Sequence, residues 1–386
     1  MTANRGLPVL ELDLLLRCAV EQGASDVHVK VGARPRLRVD GALREAPFET
    51  VEPEDTERIV AAIMPIGRAD TFRATSESDF MYAIAGLGRF RVNAFRQRGW
   101  AGLVLRRVLP GIPGFEALGL PAAVAQLAEL PHGLVLVTGL AGSGKTATLA
   151  AMIDHVNCGR ECHVVTIEDP VEVLHADKRA IVDQREVSTD TPSAPSALVH
   201  ALRQDPDVVM VSELGDAESA WAALRAAEIG HLVLAGFPTV SVLETIERFV
   251  ELFPPHRQRQ ARASLTAALR GIVSQRLLPR AGGRGRVPAV EVLVVNARVA
   301  ERIADQERVK ELAAEMANGE LYGMQTIDQS LVQLYRDGLV TRAAAIAHAN
   351  EPAETKLALD RAEFDRAHET PPVSSTPVTP QRVASA

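Results

Sequence analysis

The sequence predicts an α/β protein in two units: a small α+β unit, then a larger one built on a parallel sheet. Three observations predict this. Residues 133–138 form a short apolar, β-branched run, a glycine-rich turn follows at 139–146, and 147–156 has the pattern of a helix. Apolar runs at 134–138, 163–167, 208–212 and 231–235 alternate with helical segments, as the strands and crossover helices of a parallel sheet do. Before them, residues 7 to about 110 carry short alternating runs joined by tight turns, the pattern of an antiparallel sheet.

In the first unit, Leu12, Leu15, Leu16, Ala19 and Val20 recur at helical spacing and predict a helix over 10–22. Gly23, Ala24, Ser25 and Asp26 break it. Residues 27–31 alternate like a half-buried strand, and 36–41 do the same before an Asp40-Gly41 turn. A second helix is predicted over 53–64, with Pro53 and Glu54 suited to its first turn. Residues 79–84 and 89–95 pair around Gly86-Leu87-Gly88, and 103–108 form another strand. The stretch Pro110-Gly111-Ile112-Pro113-Gly114 predicts a linker, which sets domains at 1–110 and 111–352. From Arg257 the pattern turns helical, with a short strand pair around the basic turn Gly282-Gly283-Arg284-Gly285-Arg286, read as a solvated turn. Helices are predicted at 324–337 and 341–349. Residues 353–386 read as a helix end and a Pro/Ser/Thr-rich tail from Pro371, disordered by composition.

Bulk properties exclude several function classes. A chain of 386 residues with 47% hydrophobic content can build a sizeable core. Its net charge of −7 and 4% aromatic content argue against a nucleic-acid partner. The three cysteines, Cys18, Cys158 and Cys162, give one C-x₃-C spacing and no second pair. That argues against zinc and fits idle thiols in a reducing cytosol. No run approaches the roughly 18 apolar residues of a membrane span. The expectation is a soluble protein without a signal peptide, touching a membrane only peripherally.

The turn at 139–146 reads Gly139-Leu140-Ala141-Gly142-Ser143-Gly144-Lys145-Thr146. This is the G-x-x-x-x-G-K-[ST] form of a phosphate-binding P-loop, and strand, loop and helix are the context it needs. Glycines let backbone N–H groups turn inward around phosphates, and the helix N-terminus, running on through Ala147, adds its partial positive charge. Lys145 can reach the β- and γ-phosphates and the Thr146 hydroxyl can hold Mg²⁺, so the expected ligand is a nucleoside triphosphate with Mg²⁺. Such a site needs carboxylates near the γ-phosphate. Thr166-Ile167-Glu168-Asp169-Pro170 puts two acids at a strand end, and Asp207-Val208-Val209-Met210-Val211-Ser212-Glu213 is an apolar strand ending in an acid, a Walker-B pattern. Glu213 and Glu168, with Lys145, are therefore the candidate catalytic residues; Thr146, Glu168 and Asp169 are the candidate Mg²⁺ ligands.

This order of motifs resembles the secretion ATPases of type II and type IV pilus systems, and within them the pilus-retraction type. The resemblance runs from about residue 12 to 352. Besides the motifs above it rests on Ala24-Ser25-Asp26-Val27-His28, Arg89-Phe90-Arg91-Val92-Asn93-Ala94-Phe95, Gln184-Arg185-Glu186-Val187, Gly230-His231-Leu232-Val233 and Ser274-Gln275-Arg276-Leu277-Leu278. It implies a PAS-like N-terminal domain and a RecA-like ATPase core. It also implies a ring of six subunits, of one chain or mixed with a paralogous ATPase, working in the cytoplasm at the inner membrane. There the ring meets the platform protein of a pilus, and ATP hydrolysis drives retraction and twitching motility. In similar proteins ATP lies between the two domains and against the neighbouring subunit, with arginines of the N-terminal strands completing the site. Here Arg89, Arg91 and Arg96 occupy that region.

Two departures from the family pattern bear on turnover. After the Walker-B acid the family usually reads G-E-M-R-D; this chain reads Ser212-Glu213-Leu214-Gly215-Asp216, without the arginine. The second histidine of the family's T-G-H-L-V-x-x-T-L-H-T box is Pro238, which has neither a side-chain donor nor an N–H. The expectation is Mg-ATP binding with weak or partner-dependent hydrolysis. A catalytically weak accessory subunit is one alternative. A pilus-assembly or secretion ATPase is another, although the four-cysteine zinc insert usual there is missing.

Overall fold

The computed structural model describes residues 10–39, 41–108, 111–283 and 285–368. Asp40 of the expected turn, Pro110 of the expected linker, Arg284 of the basic turn and the tail from Pro371 lie outside them. Six strands form a first sheet: β1 (Asp26–Lys30), β2 (Arg36–Val39), β3 (Ala42–Glu45), β4 (Glu77–Ile84), β5 (Gly88–Gln97) and β6 (Trp100–Val108). Their spatial order is β3-β2-β1-β6-β5-β4, and every neighbouring pair is antiparallel. Alternation drives one face inward: Val27, Val29, Leu37, Phe80, Phe90, Leu103 and Leu105 are buried. They share a core with Leu12, Leu15, Leu16 and Ala19, which lie on one stripe of the helix Leu12–Glu21, and with Ile59 and Val60 of the helix Pro53–Ile63. A further helix, Ile66–Thr75, was not predicted; its apolar residues follow no helical stripe and only Phe72 is buried.

The second sheet has seven strands: β7 (Gly133–Thr138), β8 (His163–Glu168), β9 (Ile181–Glu186), β10 (Val208–Val211), β11 (Leu232–Phe237), β12 (Leu269–Pro279) and β13 (Arg286–Val294). The order is β13-β12-β7-β11-β10-β8-β9. All pairings are parallel except the β12–β13 hairpin. Every residue of β7, β10 and β11 is buried, because helices cover both faces. Register lines up the carboxyl ends: Phe237 pairs with Thr138, and Val211 with both Ala235 and Ile167. The residues just past β7, β8 and β10 therefore emerge on one edge. That edge is where an open parallel sheet presents its ligand.

Three expectations change. Helical character after Arg257 ends with the helix Pro255–Ala268, and the expected short strand pair is the long β12–β13 hairpin. Ile272, Val273, Val290 and Val292 continue the core there, which favours strand over helix. β9 escaped periodicity because Ile-Val-Asp-Gln-Arg-Glu lies at the sheet edge, where only alternate residues are buried. Beyond 352, the helix Pro352–His368 continues the chain and packs Leu359 and Ala358 against the helix Ile327–Arg336 and its neighbours.

Within the hairpin, Glu291 is 3% exposed and its Oε2 accepts the Val242 N–H at 2.8 Å, at the start of the helix Val242–Glu251. Burial pushes its carboxyl from the ordinary 4.5 up to about 7. The folded chain holds a proton across that window that the unfolded chain releases, so stability falls as pH rises from 4.5 to 7. Glu291→Gln keeps an acceptor for Val242 and removes the charge. Thermal unfolding should show this variant melting above the wild type near pH 8. Near pH 5 the advantage should be much smaller, and an equal difference at both pH values contradicts this account.

Candidate active site

The turn after β7 is shaped by what its glycines omit. Gly139 has φ +148°, and a Cβ there would stand 2.2 Å from Ser143 Oγ and 2.7 Å from the Gln275 carbonyl. Gly144, at φ +97°, caps the helix Lys145–Gly159, and a Cβ there would stand 2.8 Å from Gln275 Nε2. Gln275 clamps the loop to β12: its amide donates to the Ser143 carbonyl at 2.8 Å and accepts the Thr148 hydroxyl at 2.9 Å. Sequence reasoning quoted Gln275 but gave it no role; it is 2% exposed, a buried amide in the middle of a strand whose flanking Ile272, Val273 and Leu278 are core residues. Leu140, Ala141 and Gly142 are exposed, Ala147 is half-buried, and Ser143 Oγ is buried with no hydrogen-bond partner. Lys145 Nζ donates to the Gly139 carbonyl at 2.8 Å and lies 3.6 Å from Glu213 Oε2.

The acids come to this edge from the ends of β10 and β8, beyond the intervening β11. Glu213, two residues past β10, is about half exposed beside Lys145. Glu168, the last residue of β8, is 3% exposed and lines one small pocket with Thr146 and Ser212. Burial pushes the Glu168 carboxyl above the usual carboxylate range; hydrogen bonds from Thr166 and Gln184 and the charge of Arg89 pull it back, while Glu172 pushes it further up. Asp169 does not line that pocket. Its carboxylate is ion-paired with Arg68, which also donates to the Val187 carbonyl at 3.0 Å and is 11% exposed. Arg68 was not singled out by sequence reasoning, and it ties the first unit to the loops after β8 and β9. Asp216 caps the helix Ala217–Glu228 through the Glu218 and Ser219 N–H groups.

The three arginines of the first sheet divide. Arg89 is half-buried, with Nη1 lacking a partner; burial lowers its pKa while Glu186 and Glu168 raise it, so its charge faces the acid-bearing end of β8. Arg91 reaches Glu172 Oε1 at 2.8 Å. Arg96 is held within the first unit by Glu57 at 2.7 Å and by the ring of Phe72. His231 shares its Nδ1 with the Pro206 carbonyl at 2.7 Å, a strand-anchoring contact. Pro238 stands exposed one residue past β11.

Fold and site together define a P-loop nucleotide-binding α/β protein. Residues 7–358 match the family described as "Type II/IV secretion system protein", and the chain belongs to that family. It is 38% identical over 343 residues to the type IV pilus retraction ATPase PilT of Pseudomonas aeruginosa, covering 89% of this chain and 99% of that protein. It is also 38% identical over 348 residues to the type IV pilus ATPase PilU of the same organism, covering 90% and 91%. A crystal structure of the pilus retraction motor PilT with bound ADP superposes with a TM-score of 0.81 at 41% identity, covering 89% of this chain and 98% of that one.

Gln275→Leu removes both contacts that hold the loop to β12 and leaves a buried carbonyl without a donor. Titration with a fluorescent nucleotide should show affinity weakened about tenfold, the effect of one to two ordinary hydrogen bonds. Unchanged affinity would mean that the loop holds its shape without Gln275.

Proposed function

We propose that this chain is an ATP-hydrolysing motor subunit of a type IV pilus system, and that its work is pilus retraction and hence twitching motility. One observation carries the reading: Thr146 and Glu168 share a pocket while Lys145 stands 3.6 Å from Glu213, all at aligned strand ends. Its similarity to PilT over nearly the full length of that protein supports the assignment to retraction. On this reading residues 1–110 are a PAS-like domain, 111–352 a RecA-like ATPase core and 353–386 a C-terminal segment. Six subunits, alone or with a paralogue, form a ring in the cytoplasm against the inner-membrane platform protein.

The residues present fit ATP with Mg²⁺. The loop backbone is free of Cβ atoms at Gly139, Gly142 and Gly144, and Ser143 Oγ lacks a protein partner. Among the described residues no three His, Cys, Asp or Glu side chains cluster as a metal cage. That suits an ion carried mainly by phosphate oxygens and water. The Thr146 hydroxyl and Glu168 would hold it; Asp169 is committed to Arg68. Mg²⁺ supplies charge neutralisation on the β- and γ-phosphates. Lys145 opposes charge on the γ-phosphate, Glu213 orients and deprotonates the attacking water, and Arg89 answers charge from the first unit. Pro238 favours a second reading, a nucleotide-binding subunit of low turnover beside a competent paralogue, since it can donate no hydrogen bond.

A Mg-ATPase assay separates these. Wild type should hydrolyse ATP and Lys145→Ala should lose at least about 100-fold. A rise of about tenfold or more in Pro238→His would support the second reading. Equal rates in wild type and Lys145→Ala would contradict the motor reading.

A further inference from the structure

The Glu168 carboxylate is held asymmetrically. The Thr166 hydroxyl donates to Oε1 at 2.6 Å and the Gln184 side-chain amide donates to the same oxygen at 2.9 Å. No described residue donates to Oε2. Two donors on one oxygen fix the rotation of the carboxylate, and the second oxygen is left for the pocket shared with Thr146 and Ser212.

Gln184 is itself locked. Its Oε1 accepts the His175 backbone N–H at 2.8 Å, and its Nε2 also donates to the Val173 carbonyl at 2.8 Å. Flipping the amide would set an oxygen against the Glu168 carboxylate and the Val173 carbonyl, and an NH₂ against the His175 N–H. The amide orientation is therefore dictated by three partners. Thr166 is fully buried on β8 directly across from Gln184 on β9 in the parallel register. The edge strand β9, which periodicity missed, thus carries the group that orients the acid on β8.

We infer that Gln184, together with Thr166, is a positioning residue that turns one oxygen of Glu168 toward Thr146 and the metal-bound nucleotide. The inference rests on the proposed role of Glu168 toward Mg²⁺. Orientation of this kind acts on the reaction and on the metal's contribution to binding, because metal-free nucleotide is gripped by the 139–146 loop.

The test compares Thr166→Val, Gln184→Leu and Glu168→Gln in the full chain. Thr166→Val keeps the β-branched shape and removes the hydroxyl's hydrogen bond to the carboxylate. Four quantities are read: kcat and KM for ATP hydrolysis, the affinity for a fluorescent ATP analogue in EDTA, and the tightening of that affinity on adding Mg²⁺. Thr166→Val and Gln184→Leu should each lower kcat about tenfold, the size of one hydrogen bond to a charged group. EDTA affinity should stay within about twofold, while the Mg²⁺-dependent tightening should shrink and KM for Mg-ATP should rise in step with that loss. A merely structural role would lower EDTA affinity and melting temperature together and leave the Mg²⁺ effect unchanged, which overturns the inference. If Glu168→Gln abolishes turnover while both other variants keep it, the positioning inference alone falls. If Glu168→Gln turns over like wild type, the role of Glu168 falls and the inference with it.

Discussion

The structure depends on one alignment: parallel pairing brings the carboxyl ends of β7, β11, β10 and β8 to a common edge. A phosphate-binding turn without nearby acids can grip a ligand but has nothing to polarise water with. Here the pairing of Val211 with Ile167 sets Glu168 at the end of β8 and Glu213 beyond β10 on the same edge as the glycine turn beyond β7. No long loop is needed to bring them together. Ladder hydrogen bonds and full apolar burial of the strands hold the spacing.

Around that edge the charges are paired unequally, and the inequality sorts structural from chemical roles. Asp169 is answered by Arg68 and Glu172 by Arg91, each a local ion pair. Such pairs fasten elements to one another and leave little charge over. Glu168 is different: it is buried, donated to by neutral groups, and its nearest cationic influence, Arg89, is half-buried with a guanidinium nitrogen unpartnered. Glu213 and Lys145 stand 3.6 Å apart, close enough to attract without closing a hydrogen bond, so a ligand's oxygen atoms can approach beside them. The side chains that chemistry needs are those whose polar atoms the fold has left incompletely satisfied.

Much of this was legible in the residues. The glycine turn and the apolar strands before and after it were marked because buried parallel strands read as continuous β-branched runs. The first helix and strands β1, β2, β5 and β6 showed their periodicity plainly. β3 and β9 did not, because exposed or edge strands carry no continuous apolar signal. Long-range partners were illegible for a different reason. Nothing local in Gln275 announces Ser143, and nothing in Arg68 announces Asp169; both pairings exist only once the sheet order and the packing of the two units are known. The assignment of Asp169 to a metal was drawn from its neighbourhood to Glu168 in the chain. In the fold the two carboxylates turn to different partners, as successive residues at a strand end do when their side chains alternate.

The central claim is that gripping the nucleotide and hydrolysing it belong to separate groups on one sheet edge. The most direct measurement is made on Glu213→Gln, comparing fluorescent ATP-analogue affinity with steady-state ATP turnover. The account predicts affinity within about threefold of wild type and turnover lower by about 100-fold or more. Turnover retained at the wild-type level, or affinity and turnover falling together, would contradict it.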